Sequence, residues 1–73
     1  MTRTCFKEEV RIEALAYDGP KDGPGDGFRF FLKLMKRRTD LADGCQCHTC
    51  RSDPWQHVKV VLRRCGFSRD ATT

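Results

Sequence analysis

Apolar and polar residues alternate in two stretches of this chain. Val10, Ile12, Ala14 and Ala16 alternate with Arg11 and Glu13, and Phe28, Phe30, Leu32 and Leu34 alternate with Arg29, Phe31, Lys33 and Met35. A period of two is that of a half-buried strand, so residues 8–17 and 28–37 are expected to pair as an antiparallel β-hairpin. The first stretch has a competing reading. Phe6, Val10, Ala14 and Tyr17 are spaced for one helix face, and Glu and Ala are good helix formers. Between the two, residues 18–27 hold four glycines and two prolines, which reads as a flexible hairpin loop.

The third periodic stretch is helical. Trp55, Val58, Val61, Leu62 and Cys65 form one stripe at about 100° per residue. Ser52 or Asp53 can cap the start, Pro54 suits the first helical position, and Gly66 suits the stop, which places a helix over 54–65. This helix would cover the apolar face of the hairpin, giving an α+β fold with a single small domain over 1–67. Residues 68–73 are polar and read as a disordered tail.

Seventy-three residues give a thin core, and small domains often recruit a metal, a disulfide or a partner. No apolar run approaches the length of a membrane span, and no signal peptide is visible, which suggests a cytoplasmic protein. Five cysteines, an odd number, read as thiols or metal ligands more readily than as a disulfide framework.

Net charge is +4, unevenly placed. Residues 28–38 hold five bases and no acid, and residues 45–73 hold five bases against two acids. The turns 18–27 and 39–44 are acidic. A partner of negative charge fits this pattern, either nucleic acid or an acidic protein face, although such charge also serves solubility. Lys36, Arg37, Arg38, Arg63 and Arg64 are the candidate contacts, with Phe31 as an aromatic among bases on the outer hairpin face.

The chemistry-bearing segment is Gly44-Cys45-Gln46-Cys47-His48-Thr49-Cys50. Cys47-x-x-Cys50 has the spacing of one zinc knuckle, and Cys45 lies close enough to add a third thiolate. The second knuckle is missing, so a fourth ligand would have to come from His48, His57 or Cys5. His57 and Cys65 cannot act as a pair, because eight helical residues separate them by about 12 Å. Both histidines read as surface residues. Zinc is therefore the only cofactor the sequence brings up, on Cys45, Cys47 and Cys50. A redox pair lacks a helix start at its first cysteine, and a cysteine nucleophile lacks an orienting third group, so no enzyme is expected.

From Met1-Thr2-Arg3-Thr4-Cys5-Phe6 through Val10-Arg11-Ile12-Glu13 to the segment Cys45–Cys50, the chain resembles the small RNA-polymerase-binding transcription regulators of lytic Xanthomonas phages. The resemblance implies a protein without catalysis of its own, working in the host bacterial cytoplasm. Its partner would be the host RNA polymerase, with inhibition of sigma-dependent initiation and antitermination as its two effects. It assigns no contact residues. The alternative is a small zinc-binding module that contacts nucleic acid directly through the basic residues above. On either reading the free protein would be a monomer with no membrane partner.

Overall fold

The computed structural model describes residues 5–39 and 47–73. Four α-helices run in order: α1 (Lys7–Leu15), α2 (Asp26–Arg37), α3 (His48–Ser52) and α4 (Pro54–Arg64), followed by a 3₁₀ turn over Asp70–Thr72. There is no strand among the described residues, so the expected hairpin and the α+β class are replaced by an all-helical fold.

Both supposed strands are helices for a reason visible in what they bury. On α1 the buried positions are Val10 and Ala14, with Phe6 one turn before them: the helical spacing rather than the alternating one. Ile12, which a strand would have buried beside Val10, is 56% exposed. On α2 the buried positions are Gly27, Phe30, Phe31 and Leu34, an i, i+3, i+4, i+7 set. Phe28 and Leu32 of the supposed inner strand face are exposed, whereas Phe31 of the supposed outer face is interior.

Helix α4 is the hub, packing against α1, α2, α3 and the 3₁₀ turn. Val58 and Leu62 carry the contact and are fully buried. Burying one such side chain contributes about 1.5–3 kcal/mol, so this stripe supplies much of what a thin core can offer. Two aromatic groups extend it. Tyr17, Phe30 and Phe67 cluster with ring centroids 4.9–6.0 Å apart, and Phe28, Phe31 and Trp55 cluster at 5.0–6.2 Å.

The ends of α4 follow their local signals. The Asp53 carboxylate accepts from the Gln56 N–H at 3.5 Å, and Pro54 opens the helix. At the other end Gly66 takes φ +101°, Phe67 N–H donates to Leu62 O at 3.0 Å, and Gly66 N–H donates to Arg63 O at 3.3 Å. That pair of bonds is a Schellman stop, and it turns Phe67 back into the core.

The C-terminal segment is docked, contrary to the disordered tail expected. Ala71 and Thr72 are fully buried, and the Thr72 hydroxyl accepts from Arg63 Nε at 2.9 Å. Ser68 ties this segment to the glycine-rich loop, its N–H donating to Lys21 O at 2.8 Å and its hydroxyl to Asp22 O at 2.9 Å. The loop is thereby pinned, and it joins two helices instead of two strands. Gly27 permits the docking: a Cβ there would sit 2.6 Å from Ala71 O, closer than any side chain tolerates.

Candidate metal centre

The N-terminal segment, far away in sequence, meets the corner between α3 and α4 at one end of α4. Cys5 precedes α1 by two residues, Cys47 is the N-cap position of α3, Cys50 lies within α3, and His57 sits in the first turns of α4. The break at Asp53 brings these together, because it ends α3 and starts α4 at a new angle, so that α3 folds back on α4.

His57 Nδ1 is the focus of the cluster. It lies 2.9 Å from Cys50 Sγ, 3.5 Å from Cys47 Sγ and 3.7 Å from Cys5 Sγ. Cys5 Sγ and Cys50 Sγ are 3.1 Å apart. The donor atoms of Cys5, Cys50 and His57 all lie within 4.8 Å of one another, close enough to bind a metal ion. Around a tetrahedral ion with metal–sulfur bonds of about 2.3 Å and a metal–nitrogen bond of about 2.0–2.1 Å, sulfurs sit about 3.8 Å apart and sulfur and nitrogen about 3.5 Å. The observed separations scatter around those values, and the two shortest would open by about 0.6–0.7 Å; Cys47 Sγ, within reach of His57 but not within 4.8 Å of all three other donors, would have to move closer to complete the set.

The electrostatics favour ligation. Backbone N–H groups of Cys50 and Thr49 at the start of α3 hold the Cys47 thiol below its ordinary pKa, the Cys50 contribution being the largest and partial desolvation opposing it. Burial, followed by the positive charge of Lys7, lowers the His57 pKa and keeps its imidazole neutral, the form that binds metals. Cys65 differs. It is buried, its Sγ lies 3.9 Å from Arg11 O, and burial raises its pKa, with Arg11 and Lys21 opposing. It behaves as a small core residue.

Comparison of the chain with protein-family models, with curated proteins and with solved structures returns no match. The site therefore rests on its own geometry.

Of the candidate ligands, Cys47 and Cys50 lie at the cluster, and Cys45 lies outside the described residues. Cys5 and His57, named only as options for a fourth position, are central, whereas His48 is exposed. His57 sits about 100° from the centre of the α4 stripe, a flank that reads as surface from the sequence. That flank is where α3 and the N-terminal segment close over it.

The basic residues are divided by the fold. Arg37 pairs with Glu13 at 3.3 Å and Arg38 with Glu9 at 3.5 Å, which clips the end of α2 to α1. Each exposed pair contributes at most about 1 kcal/mol. Arg63 is engaged with Thr72, while Lys36 and Arg64 are exposed. Phe31 is buried against Trp55 and Phe28, so it supports the core and offers no contact surface. Among the described residues no helix is long and apolar enough to cross a membrane.

Proposed function

We propose that this chain is a non-catalytic binding module organised by one structural zinc ion held by Cys5, Cys47, Cys50 and His57. The observation that carries this reading is the convergence of three thiols on one imidazole nitrogen. A Cys₃His set is a common structural zinc shell, and four protein ligands leave no open position for water or substrate. Cysteine thiolates also favour zinc over magnesium or calcium, which take oxygen ligands. The ion would staple the N-terminal segment and α3 to the hub helix, supplying stability that a core of this size lacks.

The module's partner, on the sequence resemblance, is the host bacterial RNA polymerase, and its effects are inhibition of sigma-dependent initiation and terminator read-through. The mechanism would be steric. An interface of about 800 Å² per partner would occupy much of one face of a protein this small. Pull-down of purified bacterial polymerase by the zinc-loaded protein tests it, alongside promoter-dependent and terminator transcription assays. Retention of polymerase, lost on chelation, is expected; no retention at moderate salt refutes the polymerase reading.

A further inference from the structure

Helix α2 carries an outward face that lies outside the metal centre and, apart from Lys33 at its margin, which lines a cleft with Glu13, Asp18 and Arg37, outside the clip to α1. Its buried positions occupy one side, and on the other lie Phe28, Arg29, Leu32, Lys33 and Lys36, all exposed. At about 100° per residue these five fall within a sector of about 140°. Phe28 and Leu32 form its apolar edge, and Arg29, Lys33 and Lys36 its cationic edge. The cations span eight residues, or about 10 Å along the axis.

This edge keeps its charge. Arg37 and Arg38, the neighbouring bases, are spent on Glu13 and Glu9, but Lys33 and Lys36 make no ion pair among the described residues. Arg29 pairs with Asp26 at 3.6 Å; the carboxylate is 13% exposed, while the Arg29 side chain, 76% exposed, stays open to solvent. Phe28 is 38% exposed, its ring meeting Trp55 edge-on, with centroids 5.0 Å apart.

We infer that this face binds single-stranded nucleic acid. Lysines are mobile point charges suited to tracking successive phosphates, and the planar fork of Arg29 pairs with phosphate as well as with carboxylate. Protein–protein interfaces are moreover depleted in lysine. An exposed aromatic beside a cationic track adds a surface on which an unstacked base can lie, which a duplex cannot exploit. The inference concerns a surface separate from the metal centre and does not depend on it.

The test uses the full chain as purified, with its metal content measured first. Fluorescence anisotropy follows labelled oligouridine and oligothymidine of about 12 nucleotides, and a duplex of equal length, between 50 and 200 mM salt. Three phosphate contacts predict binding to the single strands with a log–log salt slope of about −2. Lys33→Gln with Lys36→Gln, both at exposed positions, should weaken binding at least tenfold and bring the slope near −0.7. Phe28→Leu keeps apolar volume against Trp55 but removes the aromatic face. It should weaken single-strand binding about tenfold and leave the slope unchanged. The inference is overturned by no binding at 50 mM salt, by binding that the double lysine variant leaves intact, or by equal duplex binding insensitive to Phe28→Leu. A metal-free protein that binds the single strands refutes the zinc reading alone; a zinc-loaded protein that does not bind them refutes this inference alone.

Discussion

Cys5→Ser is the most informative single change to the proposed staple. Cys5 and Cys50 are 45 residues apart in sequence, with their sulfurs 3.1 Å apart. A metal bridging them closes a loop of that length. By the chain-entropy relation for cross-links, this removes about 13 cal/mol/K from the unfolded ensemble, or about 4 kcal/mol at 25 °C. The other ligands enclose short loops, since Cys47 and Cys50 lie ten and seven residues from His57, so most of the staple's long-range effect passes through Cys5. A chain of this length is expected to be stable by roughly 4–11 kcal/mol in total. Loss of about 4 kcal/mol would bring it close to marginal and lower Tm by at least 15 °C. Thermal melts followed by circular dichroism measure this, for both proteins with and without a strong chelator. The gap between them should be wide with zinc and nearly close once chelator removes the ion from both, because the effect belongs to the metal. A gap below about 2 °C with zinc present, or one that persists undiminished under chelation, would show that Cys5 contributes only packing.

Other substitutions probe the frame around the site. Gly66→Ala meets no neighbour within 4 Å, so the cost of φ +101° stands alone, and urea denaturation should register a loss of about 1–2 kcal/mol. Gly27→Ala drives a Cβ into Ala71 O and should cost about 1–3 kcal/mol, with amide exchange at Ala71 and Thr72 accelerating as the C-terminal segment undocks. Leu62→Ala, in the fully buried stripe of α4, should cost about 2–5 kcal/mol in the same denaturation assay. The Cys65 thiol, whose pKa burial raises, contributes stability that is intact below its unfolded value and is lost as pH rises through the folded one. Urea midpoints measured from about pH 8 to 10 should therefore fall more steeply for the native chain than for Cys65→Ala.

What could be read along the chain depended on how local its determinants were. Helix α4 was legible because Asp53, Pro54 and Gly66 carry capping chemistry that acts within one turn, and because Phe67 closes the stop. Helix α2 was not. Six of the eight residues from Phe28 to Met35 are apolar, so both the alternating and the helical template find matches there. The decision came from outside the segment: Phe31 packs on Trp55, and Gly27 receives the backbone of Ala71, contacts no pattern along 28–35 reveals. In α1 the helical spacing of Phe6, Val10 and Ala14 was present but gave way to pairing with a strand that does not form. The tail reads as disordered on its polarity alone, whereas in the structure Thr72 is buried and its hydroxyl accepts a hydrogen bond from Arg63.

The metal site divides along the same line. Cys47-x-x-Cys50 is a local signal and was legible. The other two ligands depend on how α1 and α3 close over the flank of α4. The roughly 12 Å between His57 and Cys65 along α4 rules them out as a ligand pair, yet nothing along α4 itself shows that α3 and Cys5 close over His57. Cys5, ahead of the first helix, had no local context at all.

Native mass spectrometry of the chain, purified without added metal or chelator, tests the central claim most directly. One bound zinc is predicted, removed by chelation together with a large loss of helicity and abolished by Cys5→Ser combined with His57→Ala. A metal-free mass, with a helical spectrum unchanged by chelator, would contradict it.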